Sequence, residues 1–251
     1  MTSRLLILVA VLLNFLTGAH AQPATVAVAS NMKDAFSEIA TAFKAPGKPN
    51  LRVVYGSSGN LTTQIMNGAP FSLFIAADEY FPLELYKKGK TVDEGAVYAI
   101  GKLALIAKAA STATLLDNKA DIARAMMKAN KVAIAKPELA PYGRAAIEYL
   151  KAEGLWEIAR NKVVYGDNVG AITTYVLTGA ADLGFTALSL AKSPEVAKEA
   201  NYLPLNSKLY EPIRQRMILI KGAPPEVIDL YRFIQSPQAK MILQKYGYTT
   251  P

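Results

Sequence analysis

The chain contains two similar stretches, Val53-Val-Tyr-Gly-Ser-Ser-Gly-Asn-Leu-Thr-Thr63 and Val163-Val-Tyr-Gly-Asp-Asn-Val-Gly-Ala-Ile-Thr-Thr174, the second with one extra residue. Each starts as a β-branched run, turns at glycine and continues with helical spacing. A Gly-Ala pair and an apolar strand follow each copy. Such strand–helix–strand units recur widely, so chance is one explanation. The other is that the chain forms two similar lobes that face each other across a cleft.

Short apolar runs alternate with helical patterns on both sides of these stretches. The first helix is predicted over Asn31 to Lys44, with Met32, Ala35, Phe36, Ile39, Ala40 and Phe43 on one face. A second is predicted over Asn60 to Asn67, burying Leu61, Ile65 and Met66. Further helices are expected at about 144–152 and 170–177. Strands are expected at Thr25–Ala29, Leu51–Tyr55, Leu73–Ala76, Leu103–Ala107, Val132–Ala135, Val163–Tyr165 and Leu183–Thr186. This alternation predicts an α/β fold with mostly parallel sheets flanked by helices.

The N-terminus has the pattern of a cleavable signal peptide over residues 1–21. Arg4 precedes the apolar run Leu5 to Leu16, and Ala19-His20-Ala21 is a small-x-small cleavage site. The run is shorter than the roughly 20 residues that span a bilayer. No cysteine follows the cleavage site to carry a lipid, so we expect a soluble periplasmic protein.

Removing that segment also removes the only histidine, His20, and the chain has no cysteine. The remaining residues therefore exclude a Ser-His-Asp triad, a Cys-His pair and a zinc site with His or Cys ligands. The formal net charge of +8 fits either a solvated basic surface or the attraction of a small anion or anionic membrane. Nucleic acid is not expected, because the basic residues are scattered without interleaved aromatics.

Four turns between predicted strands and helices share a polar or glycine-rich character. They are Ser30-Asn31, Ser57-Ser58-Gly59, Pro141-Tyr142-Gly143 and Asn168-Val169-Gly170. Each fits ordinary helix capping when taken alone. Together they predict an anion site, because helix starts present unpaired N–H groups and a partial positive charge. Gly59, Gly143 and Gly170 are expected to let the backbone approach a ligand closely.

On these residues the sequence resembles the periplasmic molybdate-binding proteins of bacterial molybdate transporters. The resemblance spans the chain after the signal peptide. Its anchor points are Val28-Ala-Ser30-Asn31, Tyr55-Gly-Ser-Ser-Gly-Asn-Leu61, Gly68-Ala-Pro-Phe-Ser-Leu-Phe-Ile-Ala-Ala-Asp78, Ala140-Pro-Tyr-Gly143, Gly166-Asp-Asn-Val169, Ser236-Pro-Gln-Ala239 and Lys245-Tyr-Gly247. It implies a two-lobed type II periplasmic binding fold that encloses one oxyanion and delivers it to an inner-membrane ABC permease.

The resemblance also implies the site residues. Ser30 and Ser58 match ligand serines, Asn31 adds a backbone N–H, and Tyr142 and Val169 hold the anion through backbone N–H groups. Molybdenum or tungsten would be bound only as the oxyanion, without a direct metal ligand or a cofactor. Ala187 departs from the pattern, because some members have an anion-binding tyrosine there. Either the Tyr142 hydroxyl replaces that donor or the site has fewer bonds.

We expect lobe 1 to comprise residues 22–101 plus 213–251 and lobe 2 to comprise 102–212, with crossings near Gly101 and Glu211–Arg214. The protein is expected to be a monomer and not an enzyme. Three alternatives stay open at this stage. They are the same fold binding sulfate, thiosulfate or another tetrahedral anion; an exported Ser/Lys hydrolase; and a sensory or adhesion module.

Overall fold

A computed structural model describes residues 23–43, 51–111, 115 and 118–251. The predicted signal peptide and the end of the first predicted helix, at Lys44, lie outside the described residues. The strands are β1 Thr25–Ala29, β2 Arg52–Gly56, β3 Phe71–Ile75, β4 Ala96–Gly101, β5 Leu103–Lys108, β6 Val132–Ala135, β7 Val163–Gly166, β8 Leu183–Ala187, β9 Ala200–Pro204 and β10 Ile213–Leu219. The α-helices are α1 Lys33–Ala42, α2 Ser58–Met66, α3 Tyr80–Lys87, α4 Lys119–Lys128, α5 Pro141–Ala152, α6 Trp156–Ala159, α7 Val169–Leu177, α8 Leu188–Ala191, α9 Pro194–Glu199, α10 Pro225–Ile234 and α11 Pro237–Lys245.

The strands form two five-stranded sheets, one in each lobe. The order is β2-β1-β3-β10-β4 in lobe 1 and β7-β6-β8-β5-β9 in lobe 2. The repeated pattern of the sequence corresponds to β2–α2–β3 in lobe 1 and to β7–α7–β8 in lobe 2. The two-lobed α/β fold is therefore confirmed, and the two similar stretches occupy equivalent places in their lobes.

The prediction that the sheets are mostly parallel is confirmed, and each sheet contains one antiparallel strand, β10 in lobe 1 and β5 in lobe 2. In lobe 1, β1 is parallel to β2 and β3, whereas β10 is antiparallel to β3 and β4. In lobe 2, β6 is parallel to β7 and β8, whereas β5 is antiparallel to β8 and β9. Each sheet contains an antiparallel strand because the chain crosses between the lobes twice. The strand that leaves a lobe lies beside the strand that returns, and these two necessarily run in opposite directions.

Burial on both faces of the lobe 1 sheet explains the apolar character of its strands. Val26 and Val28 face one core, with Phe36 and Ile39 of α1, and Ala27 faces another with Leu61 and Ile65 of α2. This is the alternation of side chains expected along a strand. Lobe 2 has a larger core of its own.

The first two predicted helices are largely confirmed, with small differences at their ends. Ser30–Met32 form a 3-10 turn before α1, which the prediction had merged into the helix. Met66 was predicted to be buried but is 36% exposed, because it lies at the last position of α2 and outside its apolar stripe.

Candidate functional site

All five predicted ligand residues line one small cavity between the lobes. The cavity encloses about 190 Å³ of space between atoms, part of it open to solvent. Its lining residues are Ala29, Ser30, Asn31, Gly56, Ser57, Ser58, Ala77, Ala140, Pro141, Tyr142, Asn168 and Val169. The cavity lies where strands of both sheets end and helices begin, which is the usual place for ligands in open α/β sheets.

Lobe 1 contributes two serine hydroxyls to this cavity. The Ser58 Oγ accepts a hydrogen bond from the Ala77 N–H at 2.9 Å, and the Ser30 Oγ accepts one from the Gly170 N–H at 3.4 Å. Because each oxygen is the acceptor in these contacts, its own hydrogen remains able to donate to a ligand. Both serines are more than nine-tenths buried.

Lobe 2 contributes helix starts without hydroxyls. Val169 is the first residue of α7, and Asn168 caps that helix by accepting from the Ala171 N–H at 3.1 Å. Pro141 is the first residue of α5, so the first free amide of that helix belongs to Tyr142. Proline suits this position because an N–H there has no partner inside the helix. The helices α5 and α7 thus begin at Pro141 and Val169, one to three residues earlier than the sequence predicted.

The electrostatics of the cavity come from these amides. The N–H groups of Ser58, Tyr142 and Val169 belong to first helical turns, where no carbonyl within the helix can accept from them. Their helices α2, α5 and α7 add the partial positive charge of the helix start. Among the lining residues none is cationic. Such a site favours an anion through directed neutral donors, not through ion pairing.

Asn31 faces a different set of partners. Its Nδ2 donates to the Gln215 Oε1 at 2.9 Å and to the Tyr248 hydroxyl at 2.8 Å. Among the atoms of the described residues, its Oδ1 is buried and has no hydrogen-bond partner. The side-chain amide donor is therefore committed to protein groups, so only the backbone N–H of Asn31 could donate to a ligand.

The three glycines of the predicted turns serve contacts between protein segments. A Cβ at Gly143 would clash with the Ala135 carbonyl oxygen, so this glycine allows α5 to approach β6 and does not serve a ligand. A Cβ at Gly59 would lie 3.0 Å from the Leu139 Cα, and the Gly59 N–H donates to the Leu139 carbonyl across the cleft. The expectation that Gly143 admits a ligand is therefore wrong.

The Tyr142 hydroxyl, one candidate for the missing donor at Ala187, accepts a hydrogen bond from the Gln215 Nε2 at 2.9 Å. Burial raises the pKa of Tyr142 well above its usual value, so the hydroxyl stays protonated. Ala187 is fully buried at the end of β8 and does not line the cavity. The geometry thus directs the Tyr142 hydroxyl to Gln215, and the binding role of the Tyr142 backbone amide stays a prediction.

Several residues that join the lobes around the cavity were not foreseen from the sequence. Asp78 of lobe 1 forms an ion pair with Arg144 of α5. Burial raises the pKa of the Asp78 carboxyl, and the guanidinium of Arg144 opposes that rise. Gln215 is fully buried in β10, between the more exposed Arg214 and Arg216. The sequence did contain a signal for Gln215, because this polar residue stands at a position of the alternating strand where an apolar residue is expected.

Two further observations concern the described part of the chain. No helix there combines the length and the apolar character of a membrane span. The same residues contain no group of three or more His, Asp or Glu side chains that could hold a metal ion.

Comparison with known proteins connects this site to a family. Residues 24–249 match the family model for bacterial extracellular solute-binding proteins. The molybdate-binding protein of Azotobacter vinelandii is 36% identical over 92% of this chain and 91% of its own length. That of Rhodobacter capsulatus is 34% identical, over 89% of this chain and 87% of its own.

Solved structures give the same relationship. The periplasmic molybdate-binding protein of Azotobacter vinelandii superimposes with a TM-score of 0.80 at 29% identity, covering 91% of this chain and 99% of that one. The sequence and fold matches therefore agree over almost the whole described chain. The chain belongs to the family of bacterial extracellular solute-binding proteins that includes these molybdate-binding proteins.

Proposed function

We propose that this protein captures molybdate or tungstate in the periplasm as the solute-binding component of an ABC import system. The observation that supports this most strongly is the convergence of the Ser30, Ser58, Tyr142 and Val169 donors on one cavity between the lobes. The two molybdate-binding relatives above 30% identity support the choice of oxyanion.

The donors account for tight binding without a cationic side chain. Hydrogen bonds to a charged partner contribute about 1.5–3 kcal/mol each in net terms. The proposed donors are the backbone N–H groups of Asn31, Ser58, Tyr142 and Val169 and the hydroxyls of Ser30 and Ser58. After dehydration and closure costs, such a set supports sub-micromolar affinity, about −8 kcal/mol or better. The oxyanion is the cargo, and the proposal includes no cofactor and no enzymatic step.

We propose the lobe boundaries given by the sequence, with lobe 1 at residues 22–101 and 213–251 and lobe 2 at 102–212. The sheet changes between Gly101 and Leu103 and again between Pro204 and Ile213, which supports these crossings. Closure of one lobe over the other by bending at the crossings is a common arrangement for two-lobed binding proteins. In this structure the lobes already contact each other through the Gly59–Leu139 and Arg144–Asp78 pairs.

The remaining parts of the proposal concern the cellular setting. Residues 1–21 direct export and are cleaved, and the product is a free monomer that docks on an inner-membrane ABC permease. The support is the signal pattern of the N-terminus and the description of the Azotobacter structural neighbour as periplasmic. Mass spectrometry of the exported protein tests the cleavage site after Ala21.

Calorimetric titration of purified residues 22–251 tests the ligand. We expect sub-micromolar binding of molybdate and tungstate, and weaker binding of sulfate, thiosulfate and phosphate. Protonated phosphate carries an O–H, and the backbone N–H groups among the proposed donors cannot accept a hydrogen bond from it, so phosphate should bind more weakly. Tighter binding of sulfate than of molybdate would replace the proposed ligand, and no binding of any of these anions would refute the proposal.

A further inference from the structure

Behind the anion cavity lies a buried polar cluster that joins the two lobes. It consists of side chains that hydrogen-bond to one another, and we call it the interlobe cluster: Asn31, Tyr98, Tyr142, Ser189, Gln215 and Tyr248. Every member is at least nine-tenths buried. Four members belong to lobe 1, whereas Tyr142 and Ser189 belong to lobe 2.

Gln215 has a special place in this cluster because it contacts proposed ligand residues of both lobes. Its Oε1 accepts from the Asn31 Nδ2 at 2.9 Å, and its Nε2 donates to the Tyr142 hydroxyl at 2.9 Å. The Tyr98 hydroxyl donates to the same Oε1 at 2.8 Å and so helps to hold the Gln215 amide in place. One side chain therefore bridges Asn31 in lobe 1 and Tyr142 in lobe 2.

Gln215 makes two kinds of hydrogen bond, those within lobe 1 and one that joins the two lobes. Its bonds to Asn31 and Tyr98 lie within lobe 1 and can persist in an open form. Its bond to Tyr142 joins side chains of the two lobes, so it is the contact of Gln215 that separation of the lobes would break. Burial makes this contact costly to lose inside the closed protein, since an unpaired buried polar group is strongly disfavoured.

We infer that Gln215 is a positioning residue that ties Asn31 to Tyr142 in the closed form and thereby slows release of the bound oxyanion. The inference rests on the proposed function, and Gln215 itself does not line the anion cavity. Its side chain acts through the closed form, so its loss raises the dissociation rate. The association rate changes little, because the anion can first bind one open lobe.

The experiment measures release of radiolabelled molybdate from purified residues 22–251 into excess unlabelled molybdate, together with the equilibrium affinity. For Gln215→Met, which keeps length but removes both hydrogen-bonding atoms, we expect about tenfold faster release, equal to about 1.4 kcal/mol. The association rate should change by less than the release rate, because most affinity differences among variants of one site arise from dissociation. Gln244→Met, the same change at an exposed position of α11, should leave both rates unchanged.

Tyr142→Phe tests the same bond from lobe 2, since it removes the hydroxyl and keeps the backbone N–H. It also keeps the inference testable if Gln215→Met fails to fold. We expect faster release here too, and the effect in the double variant should be smaller than the product of the single effects, because each single variant already lacks the bond between Gln215 and Tyr142. A double variant whose release is faster by the product of the single effects would overturn the inference.

A purely structural role would lower the thermal unfolding midpoint of the ligand-free protein and leave the release rate as in the unsubstituted chain. That result also overturns the inference. The ligand assignment is judged separately, on the unsubstituted protein, with molybdate, tungstate and sulfate. If none binds, the proposed function and the inference both fall. If one binds and both variants release it at the unsubstituted rate, only the inference falls.

Discussion

The units β2–α2–β3 and β7–α7–β8 have the same order of elements but present different chemistry at their helix starts. In the first unit Ser58 offers both a backbone N–H and a hydroxyl, and the hydroxyl oxygen is held by the Ala77 N–H. In the second unit Val169 offers only its N–H, and its side chain is buried. Both units present a backbone amide at the helix start. Only the lobe 1 unit adds a side-chain hydroxyl, that of Ser58.

The two units also differ in how they reach across the cleft. The Gly59 N–H bonds to the Leu139 backbone carbonyl, whereas the Gly170 N–H bonds to the Ser30 side chain at a longer 3.4 Å. Both glycines are second residues of their helices. Contact between lobes therefore uses the same helix position twice, once against a backbone carbonyl and once against a side-chain hydroxyl.

The strongest test of the shared amide is Val169→Pro. Proline is accepted at the first helical position and removes only the N–H from the backbone. We expect about 100-fold weaker molybdate binding in calorimetry, because a hydrogen bond to a charged oxygen is lost and a ring carbon replaces it. Val169→Ala keeps the N–H and should bind within about threefold of the original while lowering stability. Equal affinity of the Pro and Ala variants would remove Val169 from the site.

The added hydroxyl of lobe 1 is tested by Ser58→Ala. We expect about 30-fold weaker binding by calorimetry, since one charge-assisted donor is lost and the Ala77 N–H loses its partner. Ser236→Ala is the control, because the Ser236 hydroxyl also accepts from a backbone N–H, that of Ala239, but caps α11 and does not line the cavity. The control should lose about 1 kcal/mol of stability and no affinity. Unchanged affinity of Ser58→Ala would contradict the proposed role of its hydroxyl.

The contacts of Gly59 and Gly170 predict that alanine at these two positions weakens molybdate binding to different extents. Gly59→Ala places a methyl group 3.0 Å from the Leu139 Cα, which must be pushed away with its lobe. Gly170→Ala meets only the Asn168 side chain at 3.0 Å and the Ser30 Cβ at 3.5 Å. In the same titration we expect about fivefold weaker binding for Gly59→Ala and less than about twofold for Gly170→Ala, consistent with the small cost of modest overpacking. The reverse order would show that the contact of Gly170 with the Ser30 side chain matters more for binding than the contact of Gly59 with Leu139.

The smallest expected difference concerns the helix caps of the two units. Ser57 and Asn168 occupy the same cap position and accept from the third amide of their helices. Replacing either by alanine should lower the free energy of unfolding by about 1 kcal/mol in urea titration. Losses that differ by more than about twofold would show that the two helix starts are not equivalent in stability.

The sequence predicted the alternation of elements and the four helix starts because both depend on local patterns. Apolar spacing placed β1 and β6 at their observed bounds, and Ser, Asn and Gly marked the turns. It did not predict the antiparallel pairs of β5 and β10, which depend on where the chain crosses between lobes. Local spacing carries no information about which strand becomes the neighbour of another.

The interlobe contacts were missed for a related physical reason. Gln215 and Tyr98 are distant in sequence from Asn31 and Tyr142. A single polar residue in a strand does not indicate which residue it will bond to. The role expected for Gly143 was wrong because a turn glycine looks the same whether it makes room for a ligand or for a neighbouring strand. Only the position of the Ala135 carbonyl distinguishes the two.

At the first crossing, Gly101 is the last residue of β4, and a Cβ there would clash with the Tyr142 hydroxyl and crowd the Gln215 Nε2. The absence of a side chain at Gly101 therefore makes room for the contact between Tyr142 and Gln215, which joins the lobes. Gly101→Ala would give a receptor that still offers the lobe 1 donors but resists full closure. Under the proposed function, such a protein would bring cargo to the permease without taking the closed shape.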